Sequence, residues 1–146
     1  MEIRKVLFEE IEDALTLIEE YAKQKSRQPS QEQIAQIYSL LTESGGCIIG
    51  AFYHEILIGT CTLNVCPNFS WSGRPYAMIE NVIVSKLHRN KGVGKAILSY
   101  TRELAREAGC YKVALMTGSK QNSTLKFYES SGFTGNKIGF QSRFNS

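Results

Sequence analysis

A chain of 146 residues, 42% hydrophobic and 21% charged, has the composition of one compact domain, which excludes a disordered chain and removes the need for covalent staples. Its formal charge of +3 is small and is not gathered into a basic stripe interleaved with aromatics, so nucleic acid is not expected as a partner. No apolar run approaches the roughly 20 residues of a membrane-crossing helix, and Met1-Glu2-Ile3-Arg4-Lys5 lacks a signal-peptide core, so a cytoplasmic protein with no membrane partner is expected.

Residues 3–7 read as a first strand. Ile11, Leu15, Ile18 and Ala22 then recur at helical spacing with charged residues between them. Ser26-Arg27-Gln28-Pro29 breaks that helix, and Ser30 is placed to cap a second one carrying Ile34, Ile37, Leu40 and Leu41, which Gly45-Gly46 ends. Residues 47–53 and 56–65 are rich in β-branched and aromatic side chains about the short polar His54-Glu55, the pattern of a hairpin. Residues 67–75 form a polar loop holding Trp71, the single tryptophan, and residues 76–84 give another apolar strand.

From Gly92 onward Val93, Ala96, Ile97, Tyr100, Leu104, Ala105 and Ala108 repeat at three and four, with Lys95, Arg102 and Arg106 outside, until Gly109 ends the helix. Residues 112–117 are a further strand, residues 122–131 a short helix before Gly132, and residues 133–144 one or two last strands. The order β-α-α-β-β-β-α-β-α-β, without repeat or long linker, describes a single mixed α/β domain over residues 1–146, a central mixed sheet flanked by helices.

Cys47, Cys61, Cys66 and Cys110 include no C-x-x-C pair and no histidine stands at ligand spacing, so no metal site is expected and the thiols read as buried small hydrophobes. His54, in the hairpin turn, and His88 read as surface residues rather than bases.

The chemistry concentrates at Arg89-Asn90-Lys91-Gly92-Val93-Gly94-Lys95, between the strand ending Val82-Ile83-Val84 and the helix that follows. A strand turning through glycines into a helix aims free N–H groups and the positive end of the helix dipole at one point, which suits a phosphate. The segment has neither the Gly-Lys-Ser/Thr ending of a P-loop nor the three spaced glycines of a dinucleotide fingerprint. The alternative is that Gly92 and Gly94 only shape a tight turn beside solvated lysines. Glu80 is a second signal, a carboxylate inside Ala77-Met78-Ile79-Glu80-Asn81-Val82, where burying an ion is costly unless it is paired or doing chemistry.

The R-x-x-G-x-G of Arg89 to Gly94, with Asn122 and Phe127-Tyr128-Glu129-x-x-Gly132-Phe133 downstream, resembles the two signatures of the GCN5-related N-acetyltransferases (GNAT), in their order and on the expected elements. The resemblance implies an acyl-CoA N-acyltransferase fold and acetyl transfer from acetyl-CoA, as co-substrate and with no metal, to a primary amine by direct attack. It implies that the segment Arg89, Asn90, Lys91, Gly92, Val93, Gly94 and Lys95 binds the pyrophosphate, and that the backbone of Val82, Ile83 and Val84 runs beside the pantetheine arm. It makes Glu80 the general base, commonly through water, and Tyr128 the general acid for the departing thiolate. Asn122 hydrogen-bonds the pantetheine or caps its helix.

An ordinary phenol, with a pKa of about 10, is protonated at neutral pH and ready to donate. Against these roles stand a strand-edge glutamate in solvent and a core tyrosine beside Phe127. Residues 80–84, 109–113 and Arg143-Phe144 look similar to the glucosamine-6-phosphate N-acetyltransferases, although that branch tends to carry aspartate where Asn81 stands. The acceptor is expected to be a small-molecule amine; a protein or peptide acceptor and a non-catalytic acyl-CoA sensor are the alternatives. Family members often dimerise through C-terminal strands, and Ile138, Phe140 and Phe144 would permit a homodimer.

Overall fold

His54 and Glu55 turn the chain through left-handed backbone, φ 49° and 66°, joining β2 (Cys47–Tyr53) to β3 (Ile56–Cys66). Two successive positive φ values mark a type I′ turn, whose twist matches that of the strands it connects. The structure is a computed structural model describing residues 1–144. Around this hairpin β1 (Glu2–Lys5) pairs antiparallel with β2, β4 (Tyr76–Val84) pairs antiparallel with β3, and β5 (Val113–Leu115) pairs parallel with β4, in the spatial order β1-β2-β3-β4-β5. The fold class is the mixed sheet flanked by helices that the sequence predicts.

Helices cover both faces. Cys47, Ile49 and Ala51 of β2 share a core with Val93, Ile97, Leu98 and Ala105 of α4 (Val93–Glu107), whereas Ile48 and Phe52 pack with Ile11 of α1 (Ile11–Glu20) and Ile34 of α2 (Gln31–Glu43). Ile49, Leu63, Ile79, Ile97 and Leu98 are fully buried, each worth about 1.5–3 kcal/mol in apolar surface removed from water. Ser30 caps α2 as its position predicts, accepting from the Gln33 N–H while the Gln33 side chain accepts from the Ser30 N–H. Arg4 fixes the entry to α1: it donates two hydrogen bonds to Glu10, 2.8 and 2.7 Å, and lies 3.8 Å from the Phe52 ring centroid. The hydrogen bonds from Arg4 hold the Glu10 carboxyl at about 2, well below its ordinary range.

The loop after β3 contains the single turn α3 (Ser70–Gly73), where Trp71 and Ser72 both have left-handed backbone and Trp71 stacks on Tyr111 at 5.1 Å. Since Cys66 pairs with Tyr76 at one end of the β3–β4 ladder and Gly59 with Val84 at the other, this loop lies at the opposite end of β4 from the glycine segment.

The tail corrects the expected order. After α5 (Asn122–Ser130), residues 133–144 carry no strand, and Ile138, Phe140 and Phe144 are 86%, 91% and 92% exposed. Alternating apolar side chains state what a strand would bury, but a strand also needs a hydrogen-bonding edge. Gly139 instead lies against the Met116 sulfur, just past the end of β5.

Candidate active site

β4 carries the site because it stops being an ordinary strand halfway along. Glu80 opposes Thr62 and Ile83 opposes Thr60, so Cys61 of β3 faces two residues of β4, Asn81 and Val82. This is a β-bulge, and Asn81 occupies it with φ 56°. Asparagine is among the few non-glycine residues that adopt left-handed backbone readily. On the other side of β4 the parallel ladder with β5 ends at Ile79 paired with Leu115, so residues 80–84 have no strand partner on that edge among the described residues. Bulge and parting strands together open a wedge whose β4 wall offers free backbone groups.

Val82 and Val84 pack toward the main core and Ile83 does not, which is the division of faces expected from alternation. Glu80 departs from expectation. It is exposed rather than embedded, because β4 has already left β5 at this point. The burial argument for its reactivity therefore falls, and what stands is its place: one residue before the bulge, open to a water or an approaching amine.

The glycine segment closes the wedge from the end of β4. Asn90 (φ 61°) and Gly92 (φ 81°) turn the chain into α4, and no side chain caps the helix. The first intrahelical bond runs from the Ala96 N–H to the Gly92 carbonyl, so the N–H groups of Val93, Gly94 and Lys95 point outward unpaired within the helix. The two glycines serve different needs. A side chain at Gly92 would meet nothing within 4 Å, so glycine there answers to its φ alone, whereas a Cβ at Gly94 would lie 2.8 Å from the Phe127 ring. Gly59 does the same beneath the helix, where a Cβ would lie 2.8 Å from Ile97. Close approach at Gly59 seats α4 on the end of β3, and close approach at Gly94 lets α5 reach the wedge.

Arg89 is exposed, but two contacts restrain its side chain. Its Nε donates to the Val84 carbonyl at 3.1 Å, and its guanidinium carbon is 5.0 Å from the Tyr21 ring centroid. Lys91 and Lys95 are exposed.

Tyr128 is half-buried on α5, its ring 4.9 Å from Phe127 and 6.4 Å from Phe133. Burial pushes its phenol above the ordinary value, and Cys61, which sits opposite the bulge, adds to the shift. A group so held keeps its proton through neutral pH. Asn122 is exposed and is the first residue of α5, after Gln121 in the cap position, so of its two expected roles helix capping is removed. Ser119 anchors that helix start instead, bonded to Thr124 at 3.1 Å and to the Gln121 N–H at 3.3 Å.

Cys47, Cys61 and Cys110 are buried and Cys66 is half-buried, all as free thiols. Burial drives Cys61 up to about 12, so it is a core residue bonded to Thr101 rather than a nucleophile. His54 is exposed, as expected. His88 is half-buried, and its Nδ1 has no hydrogen-bond partner among the described residues, so it is not the plain surface residue the sequence suggests. No helix among the described residues is long and apolar enough to cross a membrane, and no cluster of potential metal ligands occurs among them.

Sequence reasoning missed the bulge at Asn81 and the contact made by Tyr21. The first had a signal, since two polar residues, Glu80-Asn81, interrupt an apolar strand. Tyr21, in the turn after α1, had none.

The chain has relatives among known proteins in both sequence and fold. The model of the acetyltransferase (GNAT) family matches residues 8–133. A glucosamine 6-phosphate N-acetyltransferase from Trypanosoma brucei brucei is 36% identical over 91 residues, which are 60% of this chain and 60% of that relative's length. A provisionally named acetyltransferase from Agrobacterium tumefaciens C58 superposes with a TM-score of 0.87 at 33% identity, covering 99% of this chain and 100% of the other. A Trypanosoma brucei acetyltransferase superposes with a TM-score of 0.82 at 26% identity, covering 98% and 99%.

Proposed function

The chain belongs to the acetyltransferase (GNAT) family, and on that premise we propose that it moves the acetyl group of acetyl-CoA to the primary amine of a small molecule by direct attack. The observation that carries the reading is the wedge: a β4 edge freed at the Asn81 bulge and an uncapped α4 start at its mouth, with the half-buried Tyr128 on α5, the helix that meets α4 through Phe127 at Gly94.

In this reading the N–H groups of Val93, Gly94 and Lys95, with Arg89, Asn90, Lys91 and the Gly92 turn, bind the pyrophosphate. The free edge of residues 82–84 pairs with the pantetheine amides as an added strand would, and Asn122 reaches the arm from α5. A backbone N–H on this edge polarises the thioester carbonyl. The amine nitrogen attacks the carbonyl carbon, a C–N bond forms and the C–S bond breaks. The departing sulfur takes the Tyr128 proton, and the proton lost by the amine passes to Glu80, directly or through water. The buried thiols of Cys47, Cys61 and Cys110 are held protonated and take no part.

The acceptor is tested by a thiol-release screen of amines. Because the 36% identical relative is named for glucosamine 6-phosphate, that amino sugar phosphate leads the panel, followed by polyamines and N-terminal peptides. Acetyl-CoA-dependent release with a small amine is the expected result. Release with peptides alone overturns the small-molecule acceptor, and tight acetyl-CoA binding without release to any amine identifies a non-catalytic sensor. The protein is further proposed to be a cytoplasmic homodimer joined through its C-terminal segments. The exposed Ile138, Phe140 and Phe144 and the outer edge of β5, the last strand of the sheet, support that assembly. Light scattering on a sizing column is expected to give twice the monomer mass of 16.4 kDa; a monomer mass across the concentration range overturns it.

A further inference from the structure

Tyr21 lies outside every motif, yet it is the point at which α1 touches the glycine segment. Its hydroxyl accepts the Lys86 N–H at 2.8 Å. Its ring lies 5.0 Å from the Arg89 guanidinium carbon and 5.7 Å from the Lys86 ammonium. Arg89 thus has two restraints, the Tyr21 face and the Val84 carbonyl that its Nε reaches at 3.1 Å. Among the described residues its terminal nitrogens Nη1 and Nη2 make no hydrogen bond. That division of labour matters chemically. An arginine on a flexible stem must be ordered when an anion arrives, and the rotamer freedom lost then weakens binding. Here a backbone carbonyl takes Nε and an aromatic face takes one side of the plane, so the paired donors that suit a pyrophosphate are already presented.

We propose that Tyr21 is a positioning residue for the cofactor loop: its ring sets the Arg89 guanidinium for the pyrophosphate of acetyl-CoA, and the solvent-accessible hydroxyl contact with Lys86 is not needed for that role. The inference rests on the acetyl-CoA reading given above and deepens it. Tyr21 also ends α1 and begins the exposed, Lys- and Arg-bearing connection of residues 22–29 to α2, so the same contact joins that connection to the cofactor site.

The two contacts are separable by mutation. Tyr21→Phe keeps the ring and removes only the acceptor of an N–H that solvent can reach, so acetyl-CoA affinity by calorimetry is expected to stay within about twofold. Tyr21→Leu keeps apolar bulk without the π face, and is expected to weaken acetyl-CoA binding about three- to tenfold and raise its KM while kcat holds. In an Arg89→Gln background, which has no guanidinium to orient, Tyr21→Leu is expected to cost nothing further. A merely structural role would lower the melting temperature and leave this coupling at zero. Full acetyl-CoA affinity in Tyr21→Leu, or an equal loss in both backgrounds, overturns the inference while leaving the proposed function standing. A wild-type chain that binds no acetyl-CoA overturns the function itself, and the inference with it.

Discussion

Replacing Tyr128 with phenylalanine is expected to lower kcat by about 10²–10⁴-fold, the range for loss of a positioned proton donor, with acetyl-CoA affinity unchanged. The substitution isolates the hydroxyl. The ring packs against Phe127 at 4.9 Å and Phe133 at 6.4 Å, and phenylalanine preserves both contacts, so the wedge wall stays in place. The pH dependence distinguishes an acid from a bystander. Burial raises the phenol above its ordinary value near 10, so in the wild type the donor stays protonated through neutral pH, and its contribution is lost only as pH rises beyond that value. A wild-type rate that falls at strongly alkaline pH, beside a phenylalanine variant low and flat there, is the paired result expected from steady-state profiles. Turnover within twofold of wild type in Tyr128→Phe removes the acid role and returns the residue to the core, where its half-burial already gives it a place.

How much of this site the residues announce depends on whether the signal is local. The turn into α4 is local. Gly92 must take φ 81° and Gly94 must admit Phe127, and both demands appear as glycines in the sequence. The N-cap at Ser30 is local too, resting on Ser30 and Gln33 three residues apart. The hairpin is legible through its flanks, although His54-Glu55 is not a favoured pair for left-handed backbone, because the apolar runs on either side leave the chain nowhere else to turn.

What escaped is set by partners distant in sequence. Glu80 reads as embedded because its neighbours are apolar, but exposure is decided by where β5 stops. The ladder ends at Leu115, a fact that nothing near residue 80 encodes. The tail fails for the related reason that Ile138 and Phe140 alternate correctly and yet, among the described residues, no strand pairs with them. Tyr21 meets Lys86 and Arg89 across more than 60 positions, |i−j| = 65 for its hydrogen bond, and such contacts appear only once the helices are seated.

The exposure of Glu80 gives the sharpest test of the remaining role. Glu80→Gln keeps the size and hydrogen-bonding reach of the side chain and removes its ability to take a proton, so kcat is expected to fall by about 10²-fold or more. The ascending limb of the pH–rate profile, which reports the base losing its own proton, is expected to flatten, because an amide has none to lose. Acceptor chemistry supplies a check that structural damage would not pass. An amine of low basicity arrives already neutral and needs no base before it attacks, so the variant's defect is expected to shrink as acceptor pKa falls. The bulge at Asn81 adds a second discrimination. If Glu80 acts through water, as an exposed carboxylate one residue before an opened edge is suited to do, shortening it by one methylene in Glu80→Asp leaves room for the relay and retains most of the activity. If it touches the amine directly, the same shortening withdraws the oxygen by more than a hydrogen bond tolerates, and aspartate behaves like glutamine. A wild-type profile in Glu80→Gln would remove the base from this position altogether, leaving an amine that must shed its proton to solvent at the mouth of the wedge.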